Sequence, residues 1–417
     1  MDNKEENQEK FSTRAINTRF PKKDVHGAIS MPIYRNAAFE FDDSETIAAA
    51  FQYTSDIPYH TYSRITNPTV DNLEQKIKSV SGAENVAIIA SGMAAISNTF
   101  LAISYAGSNI VTSPHLFGNT FSFLKMTLAE FGVEARFVDT NNLEEVANAI
   151  DENTCAFFCE LITNPHMEIA DLPAISAIAK ARNIPVIVDT TVVPWCAFDA
   201  KKYGVDVEVV STTKYVSGGA TSIGGAILDY GTFDWASNKK LTNTPTSQGM
   251  SSFMFKLKRE IIRNVGASMD ADTAYMQSLG METLEVRYER MSDSALELAE
   301  FLEQQPQIVK VNYPKLASSP YKKISDTLFT ANPGAMLTFN LNTKEECYSF
   351  MDKLQVIRRA TNLFDNKTLI IHPESTIFGT FSASMKTFMG IEDNLLRLSV
   401  GLENVEDLKS DIIQALT

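Results

Sequence analysis

The sequence of 417 residues has few cysteines, no basic cluster and no long apolar run. Its four cysteines are too few and too scattered for a disulfide scaffold. Cys155 and Cys159 lie four residues apart in an apolar stretch, which on a strand places both on one face. Buried, reduced thiols are therefore favoured over a metal pair. No other Cys or His spacing is typical of a zinc site, so we expect no metal.

Charge and hydropathy exclude further classes of protein. The formal net charge is −14 at pH 7, so neither nucleic acid nor an anionic membrane is expected as a partner. No apolar run approaches the roughly 18 residues of a membrane span. Residues 1–10 are polar and lack the apolar core of a signal peptide. With 44% hydrophobic and 21% charged residues, the composition is typical of a globular enzyme, which we expect to be cytoplasmic.

Strands and helices alternate along the middle of the chain. Residues 1–65 show little regular periodicity and are predicted to form an N-terminal arm that contacts a neighbouring subunit. The alternation that follows predicts an α/β fold with a mostly parallel sheet covered on both faces, in a large domain over 66–265. Residues 266–417 are predicted to form a smaller C-terminal α+β domain. It begins with a long helix over 271–304, which must bend or bridge the domains.

One lysine stands where a strand of this sheet is predicted to end. The apolar run 205–210 is followed by Ser211, Thr212 and Thr213, then by Lys214 and a glycine-rich turn. The carboxyl edge of such a sheet is where α/β proteins place their chemistry, and hydroxyls and backbone N–H groups can hold a phosphate there. An amine beside a phosphate site suits covalent attachment of a phosphorylated aldehyde such as pyridoxal phosphate. Taken alone, the stretch favours a strand-end lysine that reaches solvent.

Two other strand ends carry residues suited to the same cofactor. Ser91 is a good N-cap residue and Gly92 allows close approach of a ligand, so a helix beginning there can bind a phosphate. Small residues also begin helices for packing alone. Asp189 ends an apolar strand, where a carboxylate is costly unless paired. It could cap a helix, bind a metal, or keep the pyridine nitrogen of the cofactor protonated.

The order of these three elements is more specific than any one of them. From about residue 12 to its end, the chain resembles the cysteine/methionine metabolism (cystathionine γ-synthase-like) family of fold-type I pyridoxal-phosphate enzymes. The motifs that carry the resemblance are YSRITNPT (62–69), SGMA (91–94), ELITNP (160–165), VDTT (188–191), STTKY (211–215) and LRLSVG (396–401). Six motifs in the same order as in the family are not expected to arise by chance.

The resemblance implies a role for each matching residue. Lys214 would hold the cofactor covalently and then act as the mobile base, while Asp189 would pair with the pyridine nitrogen. Arg397 would bind the substrate carboxylate, although without the motif a surface salt bridge would be favoured. The rest of the cofactor would contact Ser91, Gly92, Met93, Phe117, Asn164, Thr191, Ser211 and Thr213. Tyr62 and Arg64 would reach the phosphate from a neighbouring subunit of a homotetramer, with Tyr62 sharing the proton transfers.

Several positions depart from the pattern common in the family. Phe117 replaces a tyrosine that stacks on the ring; it can still stack, but it has no hydroxyl for proton transfer. Asn119 stands where methionine γ-lyases usually carry cysteine, Thr190 replaces an asparagine, and a common histidine is replaced by Gly219. Asn362, predicted to contact the substrate, stands where lyases and synthases usually have serine. O-acetylhomoserine sulfhydrylases have asparagine there.

The resemblance therefore implies a transferase of methionine biosynthesis. It would replace the acetate of O-acetyl-L-homoserine by sulfide or a sulfide donor, giving L-homocysteine. Cystathionine γ-synthesis and methionine γ-elimination are the alternatives within the family, and the donor stays open between free sulfide, methanethiol and a sulfur-carrier protein. A nucleotide-binding protein without this chemistry would explain the sheet, but not Lys214 after Asp189. The sequence also has no Gly-x-Gly-x-x-Gly motif after the first predicted strand, which is a further argument against a nucleotide-binding protein.

Overall fold

The computed structural model describes residues 9–18, 24–54, 59–246 and 249–417. One sheet contains the strands β1 (Asn85–Ile89), β2 (Asn109–Thr112), β3 (Glu134–Phe137), β4 (Thr154–Glu160), β5 (Val186–Asp189), β6 (Val207–Val210) and β7 (Gly225–Asp229). Their spatial order is β1-β7-β6-β5-β4-β2-β3. Strand β7 runs antiparallel to both its neighbours, and all other pairs in this sheet are parallel. The predicted mostly parallel α/β sheet is confirmed.

A second sheet lies in the C-terminal part of the chain. Its strands are β8 (Lys310–Asn312), β9 (Met336–Asn340), β10 (Arg358–Arg359), β11 (Leu369–Ile371) and β12 (Leu395–Ser399), in the spatial order β10-β11-β12-β9-β8. Strand β12 is central in this sheet, and Arg397 lies in its middle, between Ile371 on β11 and Thr338 on β9. A central strand is held by hydrogen bonds on both sides, so the backbone of Arg397 is well fixed.

Helices connect and cover the strands of both sheets. They are α1 (Phe11–Asn17), α2 (Ser44–Gln52), α3 (Pro68–Ser81), α4 (Gly92–Ile103), α5 (Gly118–Ser122), α6 (Leu143–Ala149), α7 (Leu172–Ala181), α8 (Ser252–Lys256), α9 (Arg263–Val265), α10 (Ala271–Glu282), α11 (Leu284–Glu303), α12 (Lys322–Leu328), α13 (Lys344–Lys353), α14 (Ala383–Phe388) and α15 (Val405–Leu416). The long helix predicted over 271–304 is interrupted at Thr283, between α10 and α11. Within the described ranges, no helix is both long and apolar enough to cross a membrane.

The large sheet is buried on both faces. Along β5, Val186 and Val188 belong to the first core cluster, which also contains apolar residues of α3, α7 and α11. Ile187 belongs to the second core cluster, which contains apolar residues of α4 and α8. Strands covered on both faces are mostly apolar in sequence, as β5 is. Glu160 and Asp189 stand at the ends of β4 and β5, whereas Glu208 is a buried carboxylate inside β6.

Helix α3 shows how local sequence fixes the elements before the sheet. Asn67 caps it by accepting the N–H of Thr69 at 2.9 Å, and Pro68 occupies its first position, where no hydrogen-bonded N–H is needed. The helix ends at Gly82, whose φ of 72° is the left-handed conformation that glycine adopts readily. The cap, the proline and the glycine together set both ends of the helix.

The N-terminal segment is more regular than the sequence predicted. Its described residues include α1 and α2, so the prediction of an irregular segment was wrong for these residues. Helix α1 packs on the core of its own chain through the buried side chains of Phe11 and Ala15. Arg14 fixes it further by donating to the Ser79 carbonyl at 2.6 Å. Two apolar residues four positions apart form a stripe too short for periodicity to reveal.

Cys155 and Cys159 do not share a face of β4, so the prediction from their spacing was wrong. In the pairing of β4 with β2, Thr154 and Ala156 face consecutive residues of β2, which leaves Cys155 as the extra residue of a bulge. The bulge breaks the alternation, and Cys155 joins the second core cluster while Cys159 joins the first. Both are free thiols, and the described part of the chain contains no cluster of His, Cys, Asp and Glu suited to a metal ion.

Candidate active site

A cavity of about 700 Å³ opens at the carboxyl ends of the strands of the large sheet. Of the predicted site residues, Ser91, Gly92, Met93, Phe117, Asn164, Asp189, Thr191, Ser211, Thr213, Lys214, Asn362 and Arg397 line it. The remaining lining residues are Ile96, Asn119, Thr120, Glu160, Ile162, Val192, Thr361, Leu363, Thr376 and Ile377. Loops of the large sheet and residues of the C-terminal part therefore meet at one place, where α/β folds bind ligands.

Helix α4 begins at this cavity and turns its N-terminus towards it. The Ser91 hydroxyl caps the helix by accepting the N–H of Ala94 at 3.0 Å. The N–H groups of Gly92 and Met93 lie in the first turn and have no acceptor within the helix. A side chain at position 92 would not fit, since its Cβ would stand 2.7 Å from the Ser211 Cβ. The close approach of helix and loop leaves these N–H groups suited to a phosphate.

The loops after β5 and β6 are joined to each other and to the start of β7. The Ser211 N–H donates to the Thr191 hydroxyl at 2.9 Å. The Thr213 hydroxyl donates to the Gly224 carbonyl at 3.2 Å and accepts the Gly224 N–H at 3.1 Å. These bonds fix the short segment that leads from β6 to Lys214.

Lys214 directs its amine into the cavity. Its Nζ donates a hydrogen bond to the Asn362 Oδ1 at 2.7 Å. Burial, and after it the charge of Arg397, lower the pKa of Lys214 to about 8, while Asp189 acts in the opposite direction. Near pH 8 a large fraction of the amine is therefore neutral, which is the form that acts as a nucleophile or a base.

Asp189 ends β5 and lines the same cavity. Its Oδ1 accepts the Thr191 N–H at 3.0 Å, which orients the carboxyl group. Burial raises the pKa of Asp189, and its hydrogen bonds with Thr191 and the charge of Lys214 act against that rise. A buried carboxylate in this position is stabilised by a cationic partner, as a protonated pyridine nitrogen would be.

Arg397 is almost fully enclosed, with 2% of its surface exposed. Its Nη1 donates to the Asn164 Oδ1 at 3.1 Å and its Nη2 to the Thr361 carbonyl at 2.9 Å. Its Nε is buried without a hydrogen-bond partner in the described part of the chain. Burial lowers the pKa of Arg397 to about 9, so the group is still charged at neutral pH. A buried, charged and incompletely bonded guanidinium is not a surface salt bridge; it is suited to an anionic ligand.

These features fit pyridoxal phosphate on the observations alone. The free N–H groups at the start of α4 suit its phosphate, the Lys214 amine suits its aldehyde, and Asp189 suits its ring nitrogen. Arg397 lines the same cavity as a buried cation with one nitrogen that has no hydrogen-bond partner among the described residues, which suits the carboxylate of an amino acid. The donor set thus accounts for both a cofactor and a substrate.

Comparison with known proteins decides the family. The sequence matches the family model described as Cys/Met metabolism PLP-dependent enzyme over residues 12–417. The chain belongs to this family. The resemblance inferred from the six motifs and the dependence on pyridoxal phosphate are confirmed.

Relatives that match nearly the whole chain carry several names, among them an L-methionine gamma-lyase of Fusobacterium nucleatum at 35% identity over 94% of this chain and 95% of its own. Two others are named for the sulfhydrylase activity. The O-acetyl-L-homoserine sulfhydrylase of Corynebacterium glutamicum is 32% identical, over 99% of this chain and 98% of its own. O-acetyl-L-homoserine sulfhydrylase 1 of Thermus thermophilus is 34% identical, over 98% and 100%. A solved structure from Campylobacter jejuni, named as an O-acetylhomoserine (thiol)-lyase, has a TM-score of 0.90 and 36% identity, covers 98% of this chain and 100% of its own, and contains a pyridoxyl-lysine phosphate.

Two positions that depart from the family pattern have clear structural surroundings. Phe117 immediately precedes α5 and lines the cavity together with Asn119. Gly219 has a φ of 143°, and a Cβ there would stand 2.5 Å from the Nδ2 of Asn366. Asn366 is itself fixed, because its Nδ2 donates to the Gly218 carbonyl at 2.9 Å. The histidine common in the family would displace Asn366 in this chain.

Tyr62 and Arg64 do not line the cavity of their own chain. Tyr62 is 43% exposed, and the guanidinium of Arg64 lies 5.5 Å from the centre of its ring. Arg64 also donates a hydrogen bond to the carbonyl of Arg263. The fold of one chain therefore brings together every predicted site residue except these two.

One lining residue with an unusual environment, Glu160, was absent from the predicted site. It ends β4 beside Asp189 of β5, and only 6% of its surface is exposed. Burial, and then the charge of Asp189, raise the pKa of Glu160 to about 8. A signal for it existed, because Glu160 begins one of the six motifs and ends an apolar strand, as Asp189 does.

Proposed function

We propose that this enzyme replaces the acetate of O-acetyl-L-homoserine by sulfide, giving L-homocysteine. A carbon–sulfur bond forms at Cγ, the bond from Cγ to the ester oxygen breaks, and acetate leaves. The names of similar enzymes over the whole chain support this reaction. The structural observation that carries it is the position of Arg397, a buried guanidinium that lines the cavity containing the Lys214 amine.

The cofactor would be held by residues around the cavity. Lys214 would attach it covalently, and Asp189 would accept a hydrogen bond from its ring nitrogen. Asn164 would lie near the ring hydroxyl, and Phe117 would stack on the ring. The phosphate and its surroundings would be contacted by Ser91, Gly92, Met93, Thr191, Ser211 and Thr213, all of which line the cavity. When bound, pyridoxal phosphate withdraws electrons and makes protons next to the amino-acid nitrogen acidic.

The residues of the chain then move protons and orient the substrate. Arg397 would bind the substrate carboxylate in a fork, which fixes the amino acid relative to the Lys214 amine. Freed by the substrate amine, Lys214 would take the Cα proton at Nζ, because its lowered pKa leaves the amine neutral near pH 8. Asn362 would steer this amine, as its Oδ1 already accepts a hydrogen bond from it.

We propose that Tyr62 and Arg64 complete the site of a neighbouring copy of the chain. Their exposure, and their absence from the cavity of their own chain, are what such a role requires. Tyr62 would supply the hydroxyl that Phe117 lacks for proton transfer. The assembly would be a homotetramer of dimers that share sites, with residues 1–65 as the arm, 66–265 as the large domain and 266–417 as the small domain.

The sulfur donor for homocysteine would be free sulfide or a sulfur-carrier protein, whereas methanethiol as the donor would give methionine. We propose a cytoplasmic location, where thiols such as Cys155 and Cys159 stay reduced. A panel of purified reactions tests the activity. O-acetyl-L-homoserine with sulfide is expected to give homocysteine and acetate, whereas methionine or cystathionine alone is expected to give little 2-oxobutyrate. Rapid formation of 2-oxobutyrate and ammonia from methionine without added thiol would overturn the proposal.

A further inference from the structure

Glu160 contacts two loops of the active site at once. It stands at the end of β4 with its side chain lining the cavity. Its Oε1 accepts the backbone N–H of Phe117, and its Oε2 accepts the backbone N–H of Asn164 at 3.2 Å. The two oxygens are thus divided between two segments that are far apart in sequence.

Each of these segments supplies a different wall of the cavity. Phe117 belongs to the loop that leads into α5, and its side chain lines the cavity. Asn164 belongs to the loop after β4, and its Oδ1 accepts a hydrogen bond from Arg397 at 3.1 Å. A shift of either loop would change the distance between the ring of Phe117 and the guanidinium of Arg397.

We propose that Glu160 is a positioning residue, whose carboxylate holds Phe117 and the Asn164–Arg397 pair in the arrangement that binds an amino acid. The inference rests on the proposed function in one respect, since it takes Arg397 as the group that binds the substrate carboxylate. It does not depend on which group leaves Cγ or on which sulfur donor is used.

Both carboxyl oxygens of Glu160 must act as hydrogen-bond acceptors. A carboxylate offers two acceptors, whereas a glutamine offers one acceptor and one NH₂ group, which would face a backbone N–H. Burial and the charge of Asp189 disfavour the ionised form of Glu160, while the two N–H groups favour it. Each oxygen of Glu160 faces a backbone N–H, so the geometry requires the ionised carboxyl group even though its pKa is raised to about 8. The experiment below is therefore carried out above pH 8.

Asp411 provides a matched control for a substitution at Glu160. It is also a buried carboxylate, on α15, with 4% of its surface exposed. Its Oδ1 accepts the backbone N–H of Gln355 and its Oδ2 accepts those of Val356 and Ile357, each at 2.9 Å. Neither Asp411 nor these partners line the cavity, so Asp411→Asn alters a carboxylate that binds backbone N–H groups outside the site.

The experiment compares the wild-type holoenzyme with Glu160→Gln and Asp411→Asn. Glycine serves as the probe, because it has the amine and the carboxylate of the substrate but no side chain and hence no leaving group. Its Kd is measured from the absorbance change of the bound cofactor, and the melting temperature is measured alongside. We expect Glu160→Gln to weaken glycine binding by about tenfold, the loss typical of one hydrogen bond in a site of this kind. Asp411→Asn should change the glycine Kd less than about threefold while lowering the melting temperature comparably.

The proposal is overturned if Glu160→Gln binds glycine within twofold of wild type, or if both variants weaken binding equally. Glu160→Asp provides a second test should the glutamine variant not fold, because it keeps the charge but is one methylene too short to reach both N–H groups. Wild-type glycine affinity in that variant overturns the proposal as well. An enzyme that binds glycine in the expected pattern but forms no homocysteine would refute the proposed activity alone.

Discussion

The cavity and the N-terminal segment are built in different ways. Lys214, Asp189 and Arg397 are held by strands of two sheets, and the chain encloses them by its own packing. Tyr62 and Arg64, predicted for the same site, are exposed; the Arg64 guanidinium lies over the Tyr62 ring and donates a hydrogen bond to the Arg263 carbonyl. One part of the proposed site is therefore complete within a chain, and the other part requires a surface from elsewhere.

The composition of the N-terminal segment agrees with this difference. The exposed apolar side chains of its described residues include Ile16, Val25, Ile29, Ile33, Tyr34, Ile47, Phe51, Tyr59 and Tyr62. By contrast, the apolar residues of β5 and β6 are buried. Many exposed apolar residues in one segment agree with a surface that another copy of the chain covers. Folding of one chain therefore forms the cavity, and we expect association to complete the rest of the site.

The largest effect is expected inside the cavity. Lys214→Ala removes the amine that holds the cofactor, so homocysteine formation should fall by about 10⁴-fold. The visible absorbance that borohydride bleaches should disappear as well. Lys201→Ala, at an exposed lysine, is the control and should retain both. A Lys214→Ala enzyme that keeps a borohydride-sensitive band would show that another lysine carries the cofactor.

The next largest effect tests the exposed segment. Tyr62→Phe keeps the ring and removes only the hydroxyl, and it should lower kcat by about 100-fold, as the loss of a proton-transfer group does. The melting temperature should change little, because Tyr62 is exposed. Turnover close to that of wild type would remove Tyr62 from the mechanism.

Mixed oligomers test directly whether Tyr62 acts in its own chain or in a neighbouring chain. If Tyr62 serves a neighbouring subunit, a hybrid of Lys214→Ala and Tyr62→Phe subunits contains one intact site. Co-expression of the two variants should then restore about a quarter of wild-type activity, because half of random dimers are hybrids. Activity no higher than the average of the two separate variants would mean that each chain uses its own Tyr62.

A smaller effect is expected for Arg397→Lys. The lysine keeps the charge, but a single amine cannot bond Asn164, Thr361 and a substrate carboxylate in the way that a guanidinium does. The KM for O-acetyl-L-homoserine should rise by about 30-fold with a smaller change in kcat, since hydrogen bonds of charged groups are lost. An unchanged KM would show that the substrate carboxylate is bound by a different residue.

Local patterns in the sequence were sufficient for most of the fold. The alternation of apolar strands and amphipathic helices predicted the large sheet, because strands buried on both faces leave a clear signal. The bulge at Cys155 was not predictable, since it arises from the pairing with β2, more than 40 residues earlier. Helix α1 was missed for a similar reason, as its stability comes from packing on a remote part of the chain.

The sequence predicted which residues form the site, but it did not predict the hydrogen bonds between them. Lys214 and Asp189 were identified because parallel strands end at a common edge, and the motifs supplied Arg397. The hydrogen bond from Lys214 to Asn362 joins residues 148 positions apart, and no local pattern predicts it. The same holds for Glu160, whose role becomes visible only through its bond to Phe117.

The smallest expected effect concerns the acidity of Lys214. With the cofactor removed, the rate at which the enzyme takes up added pyridoxal phosphate should rise with pH and level off above a midpoint near 8, because only the neutral amine reacts. Stopped-flow absorbance measures this rate. Arg397→Leu should move the midpoint upwards, since it removes a positive charge that disfavours the ammonium form. The shift should be modest, because burial is the larger cause. A wild-type midpoint near the ordinary value of 10.5 would mean that the Lys214 amine is solvated, and that the cavity does not enclose its catalytic base.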